Sequence, residues 1–233
     1  MAKILSIETS TAVCSVAIHD SGRLISLKEL KEDGAHSEKL IGLIDSVLKD
    51  SCLDYLSLDA IAVSQGPGSY TGLRIGVSTA KGLSYALSKP LLGINTLQAI
   101  ALHRNYMEGE IGIAVLDARR MEVYCQAFGM DGGELSPIES VVLGEESFLN
   151  YLEKGKVYFS GDAVKKVSSV IIHPNAVFLD NLGLSASHLG PLGYQKYKAG
   201  QFENIAYFVP NYLKEFKALH SKKNPLLSLW VKF

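Results

Sequence analysis

The sequence predicts an α/β protein of two lobes, each a mixed sheet with helices packed on it, the second lobe reduced. Three observations carry this. Residues 3–30 hold three apolar runs separated by short turns, and such neighbours must pair antiparallel, because a parallel pair needs a long crossover. Helix and strand patterns then alternate to about residue 105, which extends the sheet in parallel and covers it with helices. At residue 111 the order begins again with a fresh apolar run. A chain of 233 residues is long enough for one large or two small domains with a sizeable core.

The elements follow in order. "KILSIE" (3–8) is the first strand, "AVCSVAIH" (12–19) the second and "LISLKEL" (24–30) the third, with turns at "TST" and "DSGR". "GAHSEKLIGLIDSVLKD" (34–50) places Leu40, Ile44, Val47 and Leu48 on one helical face, beginning at His36 or Ser37. "LDAIAVSQ" (58–65) is a compact apolar strand of the kind buried on both faces. A helix follows over 71–87, then a short strand in "KPLLGIN" (89–95). "TLQAIALHRNY" (96–106) is a helix capped by Asn95 or Thr96. "YMEGE" (106–110) is the seam, dividing residues 1–105 from 106–233.

Beyond it, "IGIAVLD" (111–117) pairs with "MEVYCQAFGM" (121–130) as a hairpin through "ARR". "ELSPIESVVL" (134–143) is a strand, "GEESFLNYLEKG" (144–155) a helix, and "KVYFSGDA" (156–163) a strand running into a turn. "SASHLGPLGYQKYKAG" (185–200) is a helix with Pro191 near its start or at a kink. By element order alone, the second half is a trimmed and diverged copy of the first. The tail "SKKNPLLSLWVKF" (221–233) either docks as a late strand or lies loose.

The formal net charge of −1 gives no long-range field for nucleic acid or anionic lipid, which leaves room for a local RNA-binding surface. With no dense Lys/Arg run interleaved with aromatics, RNA is expected to be met only through the complex. Cys14, Cys52 and Cys125 are odd in number, far apart and flanked by apolar residues. They are read as small buried hydrophobes in a reducing compartment, not as a disulfide or zinc framework. "MAKILSIETS" is too polar for a secretory signal, and no run approaches the roughly 20 apolar residues needed to span a bilayer. A cytoplasmic, soluble protein is expected.

The informative stretch is "SQGPGSYTGLRIGVSTAKGLSYAL" (64–87). Three of its glycines, Gly72, Gly76 and Gly82, fall inside a helix, where each costs about 1 kcal/mol relative to alanine. No glycine pair has the spacing and following lysine of a Walker loop, and Gly66, Gly68 and Gly72 miss G-x-G-x-x-G. "QGPGS" reads as a tight turn from strand to helix with Ser69 or Thr71 as cap. On a helical wheel Leu73, Val77, Ala80 and Leu87 share a face, flanked by Gly72, Gly76, Thr79 and Leu83 and extended by Ile75, Gly82 and Ala86. That arc exceeds half the circumference, whereas one sheet needs about a third. A second surface must therefore press on this helix. It is either another subunit or an intramolecular neighbour such as residues 36–49.

In "IETSTAVCSVAI" an acidic strand end meets a hydroxyl-rich turn. Glu8, Thr9 and Ser10 are the residue types that hold nucleotide phosphate and a hydrated magnesium. A second phosphate loop would lie near "FSGDA" (159–163). No metal site is expected: His36, His103 and His188 lack a ligand at i+4, while His19 and His173 sit in turns or loops and read as surface or capping histidines. No G-x-S-x-G elbow and no triad order the serines, and no catalytic residue is assigned.

The opening succession resembles the ribonuclease-H-like half-domain of the actin, sugar-kinase and Hsp70 superfamily. More specifically, "ILSIETST", "HSEKLIGLID", "AVSQGPGSYTGLRIGVSTAKGLSYAL", "GINTLQAIA" and "LDARRMEVYCQAF" resemble successive signature blocks of the TsaB (YeaZ) family. These are bacterial partner proteins in tRNA threonylcarbamoyladenosine synthesis. "PNYLKEF" (210–216) is similar to that family's closing element. The resemblance implies two ribonuclease-H-like lobes of the actin/Hsp70 type. It implies a non-catalytic subunit that pairs with a catalytic paralogue, TsaD, through the two helices after the meander. TsaE, an ATPase, joins them, and TsaC supplies the activated group.

Placed on this chain, the contact comprises His36, Leu40, Leu43, Gly72, Gly76, Thr79 and Leu83. A homodimer is expected when the chain is alone, no cofactor is required, and ATP or ADP with magnesium would sit at Glu8–Ser10. The competing reading is an autonomous kinase of the sugar-kinase type or a glycoprotease-like peptidase. Either would show an aspartate base at the mouth of the lobe cleft and a glycine-rich second loop.

Overall fold

The structure, a computed structural model, describes residues 1–213 except 33, 103, 105, 181 and 182. The tail strand proposed for 221–233, the end of the "PNYLKEF" element and His103 lie outside the described residues.

The first sheet opens as the meander expected from its short turns: β1 (Lys3–Glu8), β2 (Cys14–Asp20) and β3 (Arg23–Leu30), antiparallel with Ile4 opposite His19 and Ser15 opposite Glu29. α1 (Ala35–Glu38) and α2 (Leu40–Asp50) follow. They divide at Lys39 where one continuous helix was expected. β4 (Ala60–Gly66) then runs parallel to β1, α3 (Tyr70–Leu87) crosses back, and β5 (Leu91–Asn95) runs parallel to β4. α4 (Thr96–Ala101) ends the first half and is shorter than its apolar pattern. Its cap is Asn95, whose side chain accepts from the Leu97 and Gln98 amides.

The second sheet repeats the plan. β6 (Ile111–Asp117), β7 (Glu122–Phe128) and β8 (Glu139–Val142) form an antiparallel meander, and β9 (Val157–Ser160) and β10 (Ala176–Phe178) extend it in parallel from β6. Sheet orders are β3-β2-β1-β4-β5 and β8-β7-β6-β9-β10, the same path twice. Its helices are trimmed. Only α5 (Leu149–Leu152) forms within the helix expected over 144–155, because Phe148 has a left-handed φ of 65° and breaks the run. α6 (Val164–Ser168) and β10 had no clear pattern in the sequence.

α7 (Leu189–Lys198) lies beyond the seam at residue 105/106 in sequence but packs on β1, β4 and β5. The following segment stays there: the Glu203 amide donates to the Leu91 carbonyl and the Asn211 amide to the Gln65 carbonyl. The first lobe is therefore completed by residues from about 184 to 213.

Strand alternation explains the layers. Leu5, Ile7, Val16, Ile18, Ile61 and Val63 meet α1, α2 and α3 on one face of the first sheet. Ile4, Ala60, Ala62, Leu92 and Ile94 meet α4, α7 and the second sheet on the other. Each fully buried valine, leucine or isoleucine among them contributes about 1.5–3 kcal/mol.

Two expectations about single residues fail. His19 is not a surface histidine but fully buried in β2, facing the 185–190 segment. Cys14 and Cys125 are buried, and burial pushes their thiols up to about 11 and 12, so they are inert. Cys52, by contrast, is exposed in the turn after α2, where its φ is 52°.

Candidate functional site

The β1–β2 turn lies directly under the start of α3. Ser69 caps the helix by accepting from the Gly72 amide, and its own amide donates to the Ser10 carbonyl at 2.6 Å. Thr9 Oγ1 donates to the Gly72 carbonyl at 2.8 Å. A Cβ at Gly72 would stand 2.0 Å from the Thr9 carbonyl oxygen, and one at Gly76 would stand 2.2 Å from Thr9 Oγ1. The glycines of α3 thus admit the chain's own turn.

Of the residues placed in the partner contact, Gly72, Gly76 and Leu40 are buried inside the lobe of the isolated chain. Leu43 and Leu83 are half-buried against the same core, Thr79 is half-buried, and His36 lines the inter-lobe cleft. The face of α3 that looks outward carries Ser78, Gly82 and Ala86, one turn apart and all exposed. Gly82 has no atom within 4 Å of its missing Cβ, and neither does Gly42 on α2. Ile41 beside it is 53% exposed. A small-residue stripe exists, but on a different face of the helix from Gly72 and Gly76.

Glu8, Thr9 and Ser10 do come together, but as an internal lock. Glu8 Oε1 accepts from both the amide and the hydroxyl of Ser10 at 2.6 Å. None of the three is more than 2% exposed. The Thr9 and Ser10 hydroxyls are engaged within the lobe, while Ser10 also borders the cleft between the lobes. Burial raises the Glu8 carboxyl to about 7; the two Ser10 hydrogen bonds oppose this, and Ser64 lies near enough to add a smaller lowering without good hydrogen-bond geometry.

Burial lowers His19 to about 4, opposed by the Ser187 carbonyl that accepts from Nε2. That bond fixes the tautomer, so Nδ1 accepts from the Ser6 hydroxyl at 3.0 Å.

The two groups have opposite pH signs. Glu8 is raised in the fold, so its contribution is full below its ordinary value of 4.5 and is lost as pH rises toward 7. His19 is lowered, so its contribution is full above 6.5 and is lost as pH falls toward 4. In the shared window they oppose each other. Glu8→Gln removes one limb. Urea unfolding at pH 4.5 and 6.5 should show the variant losing stability on acidification relative to wild type, with a slope near 1.4 kcal/mol per pH unit. Parallel pH profiles would show that the Glu8 carboxyl is not raised above its ordinary value in the fold.

Between the lobes lies a cleft of about 590 Å³. Ser10, Thr11, Ser69 and Thr71 line one wall, and Asp117, Arg119 and Asp162 the other. The sequence reading missed this carboxylate pair, because its members are brought together only by β6 pairing with β9. The Asp117 amide donates to Asp162 Oδ1 at 2.8 Å. Asp117 is itself ion-paired with Lys166 at 2.9 Å and accepts from the Arg119 amide. Partial desolvation pushes the Asp117 carboxyl up, but Lys166 and the Arg119 amide outweigh it and hold it below the usual range. A base already neutralised by an ammonium is poorly placed to take a substrate proton. Among the described residues no group of three His, Cys, Asp or Glu side chains could hold a metal.

The family model for TsaD, tRNA N6-adenosine threonylcarbamoyltransferase, matches residues 31–218. The tRNA threonylcarbamoyladenosine biosynthesis protein TsaB of Escherichia coli is 26% identical over 91% of this chain and 94% of its own length. The protein of the same name from Haemophilus influenzae is 36% identical over 52% of this chain and 51% of its own. That from Bacillus subtilis is 33% identical over 61% and 63%. The last two matches thus span about half to three-fifths of those relatives. Among solved structures, YeaZ from Pseudomonas aeruginosa superposes with a TM-score of 0.76 at 26% identity, over 91% of this chain and all of that one. A second Pseudomonas aeruginosa structure, described as similar to peptidase YeaZ, gives 0.78 at 27%, over 92% and all of it.

Proposed function

Since the chain belongs to the tRNA N6-adenosine threonylcarbamoyltransferase (TsaD) family, we propose that it is the non-catalytic subunit of the assembly forming threonylcarbamoyladenosine in tRNA. It binds and supports a catalytic paralogue of the TsaD type. The observation that carries this is the outward face of α2 and α3, where Ile41, Gly42, Ser78, Gly82 and Ala86 stand exposed with open space over both glycines. Small residues at one-turn spacing let a second backbone approach closely. The rule is best known in membranes, but its steric basis holds in water. Alone, the chain pairs with itself through the same face. In the assembly an ATPase of the TsaE type is a further partner, tRNA is the substrate of the whole, and the compartment is the cytoplasm. No helix among the described residues is long and apolar enough to cross a membrane.

The burial of Glu8, Thr9 and Ser10 and the Asp117–Lys166 pair support a role without nucleotide and without its own turnover. Mixed with its TsaD-type paralogue, the chain should co-elute on size exclusion, and reconstituted tRNA modification should require it. Calorimetric titration of the isolated chain with Mg-ATP should give no heat. Heat together with turnover by the chain alone would favour the kinase or peptidase reading instead.

A further inference from the structure

On the opposite flank of α3 from α2 lies a pocket of about 310 Å³, closed by the segment 208–212. Tyr70, Arg74, Val77, Ser78 and Lys81 line the helix side. Phe208, Val209, Pro210 and Tyr212 line the other. The segment is held firmly: the Lys81 ammonium donates to the Phe208 carbonyl at 2.8 Å, and the Asn211 amide bonds to Gln65.

The charge is one-sided. α3 contains Arg74 and Lys81 and no Asp or Glu, and residues 204–213 contain no charged residue at all. Every charge on the two walls is therefore positive, in a protein whose net charge is −1. The aromatics are ordered too. Tyr70 and Tyr212 have ring centroids 4.7 Å apart. The Arg74 guanidinium sits 5.3 Å from the Tyr70 ring and donates to its hydroxyl at 3.1 Å, while Tyr212 is 39% exposed. A cation beside a partly open ring platform suits a ligand that is both anionic and planar. Such pairs meet a phosphate and the base next to it in single-stranded nucleic acid. An acidic peptide would use the cations but leave the rings uncovered.

We propose that this pocket is a one-nucleotide contact for single-stranded RNA, with Arg74 and Lys81 meeting the phosphate and Tyr212 stacking on the base. The proposal rests on the tRNA-modification reading; the pocket borders the proposed subunit contact at Ser78, whereas Tyr212 lies outside that contact. The test is fluorescence anisotropy of the full chain with a fluorescein-labelled seven-nucleotide RNA over a salt series, beside a labelled hepta-glutamate peptide. Wild type should bind the RNA and discriminate against the peptide. Arg74→Glu should weaken RNA binding at least tenfold and reduce the salt slope by about 0.7. Tyr212→Ala should weaken it about tenfold with the slope unchanged, which a charge-only surface would not show. Tyr212→Ala, which lies off α3, should still co-elute with the TsaD-type paralogue, so failure of the RNA site is separable from failure of the subunit reading. RNA affinity unchanged in both variants, no RNA binding by wild type, or binding of the peptide in its place would overturn the site.

Discussion

Gly72→Ala should strongly destabilise the first lobe. Its Cβ would enter at 2.0 Å from the Thr9 carbonyl oxygen and 3.2 Å from its carbon, both main-chain atoms of a turn clamped by Glu8 and Ser10. Neither side can swing away. The α3 backbone is fixed by its cap at Ser69, and the turn by β1 and β2. Alanine gains about 1 kcal/mol of helix propensity. Overpacking of this severity costs about 3 kcal/mol or more. The clash wins, and a net loss of about 2–3 kcal/mol is expected, or roughly 5–10 °C in Tm for a chain of this size.

Two neighbouring glycines sharpen the prediction. At Gly76 the obstacle at 2.2 Å is the end of the Thr9 side chain, which can rotate at the expense of its bond to Gly72. Gly76→Ala should therefore cost less. At Gly82 nothing lies within 4 Å, and Gly82→Ala should raise stability by up to about 1 kcal/mol. Urea midpoints should fall in the order Gly82→Ala, wild type, Gly76→Ala, Gly72→Ala. A Gly72→Ala protein as stable as Gly82→Ala would mean that α3 does not carry glycine there to admit Thr9.

What the sequence could and could not say follows from the range of each interaction. The meander and the Ser69 and Asn95 caps were legible because turn length and capping act over a few residues. That α3 needed a second close neighbour was legible too, from the width of its small and apolar arc. Which neighbour was not. Thr9 lies 63 residues from Gly72, and a wheel reports how close something comes but not what it is. The same limit hid the destination of α7: Leu189 and Leu192 would satisfy either sheet. His19 looked like a turn residue because Asp20 follows it, yet it faces the missing Cβ of Gly190, which only the folded second half supplies. Asp117 and Asp162 are 45 residues apart and meet only across the second sheet.

Gly82→Trp should separate folding from assembly. The missing Cβ of Gly82 points into open space, so the indole displaces nothing in the isolated chain, and tryptophan is a better helix residue than glycine. Tm should stay within about 2 °C of wild type. In the assembly the same ring would stand between two backbones that Ser78, Gly82 and Ala86 are placed to let approach. Splaying them would empty the packed centre of the contact, where a few residues carry most of the affinity. Binding of the TsaD-type paralogue should weaken at least a hundredfold, with co-elution on size exclusion abolished at micromolar concentration and self-association lost alongside. Gly76→Leu, the substitution the sequence alone would suggest, cannot make this distinction, because it drives a side chain into Thr9 and damages the lobe before any partner arrives. Should Gly82→Trp keep its stability and also bind the paralogue as tightly as wild type, the outward ridge of α3 is not the subunit contact.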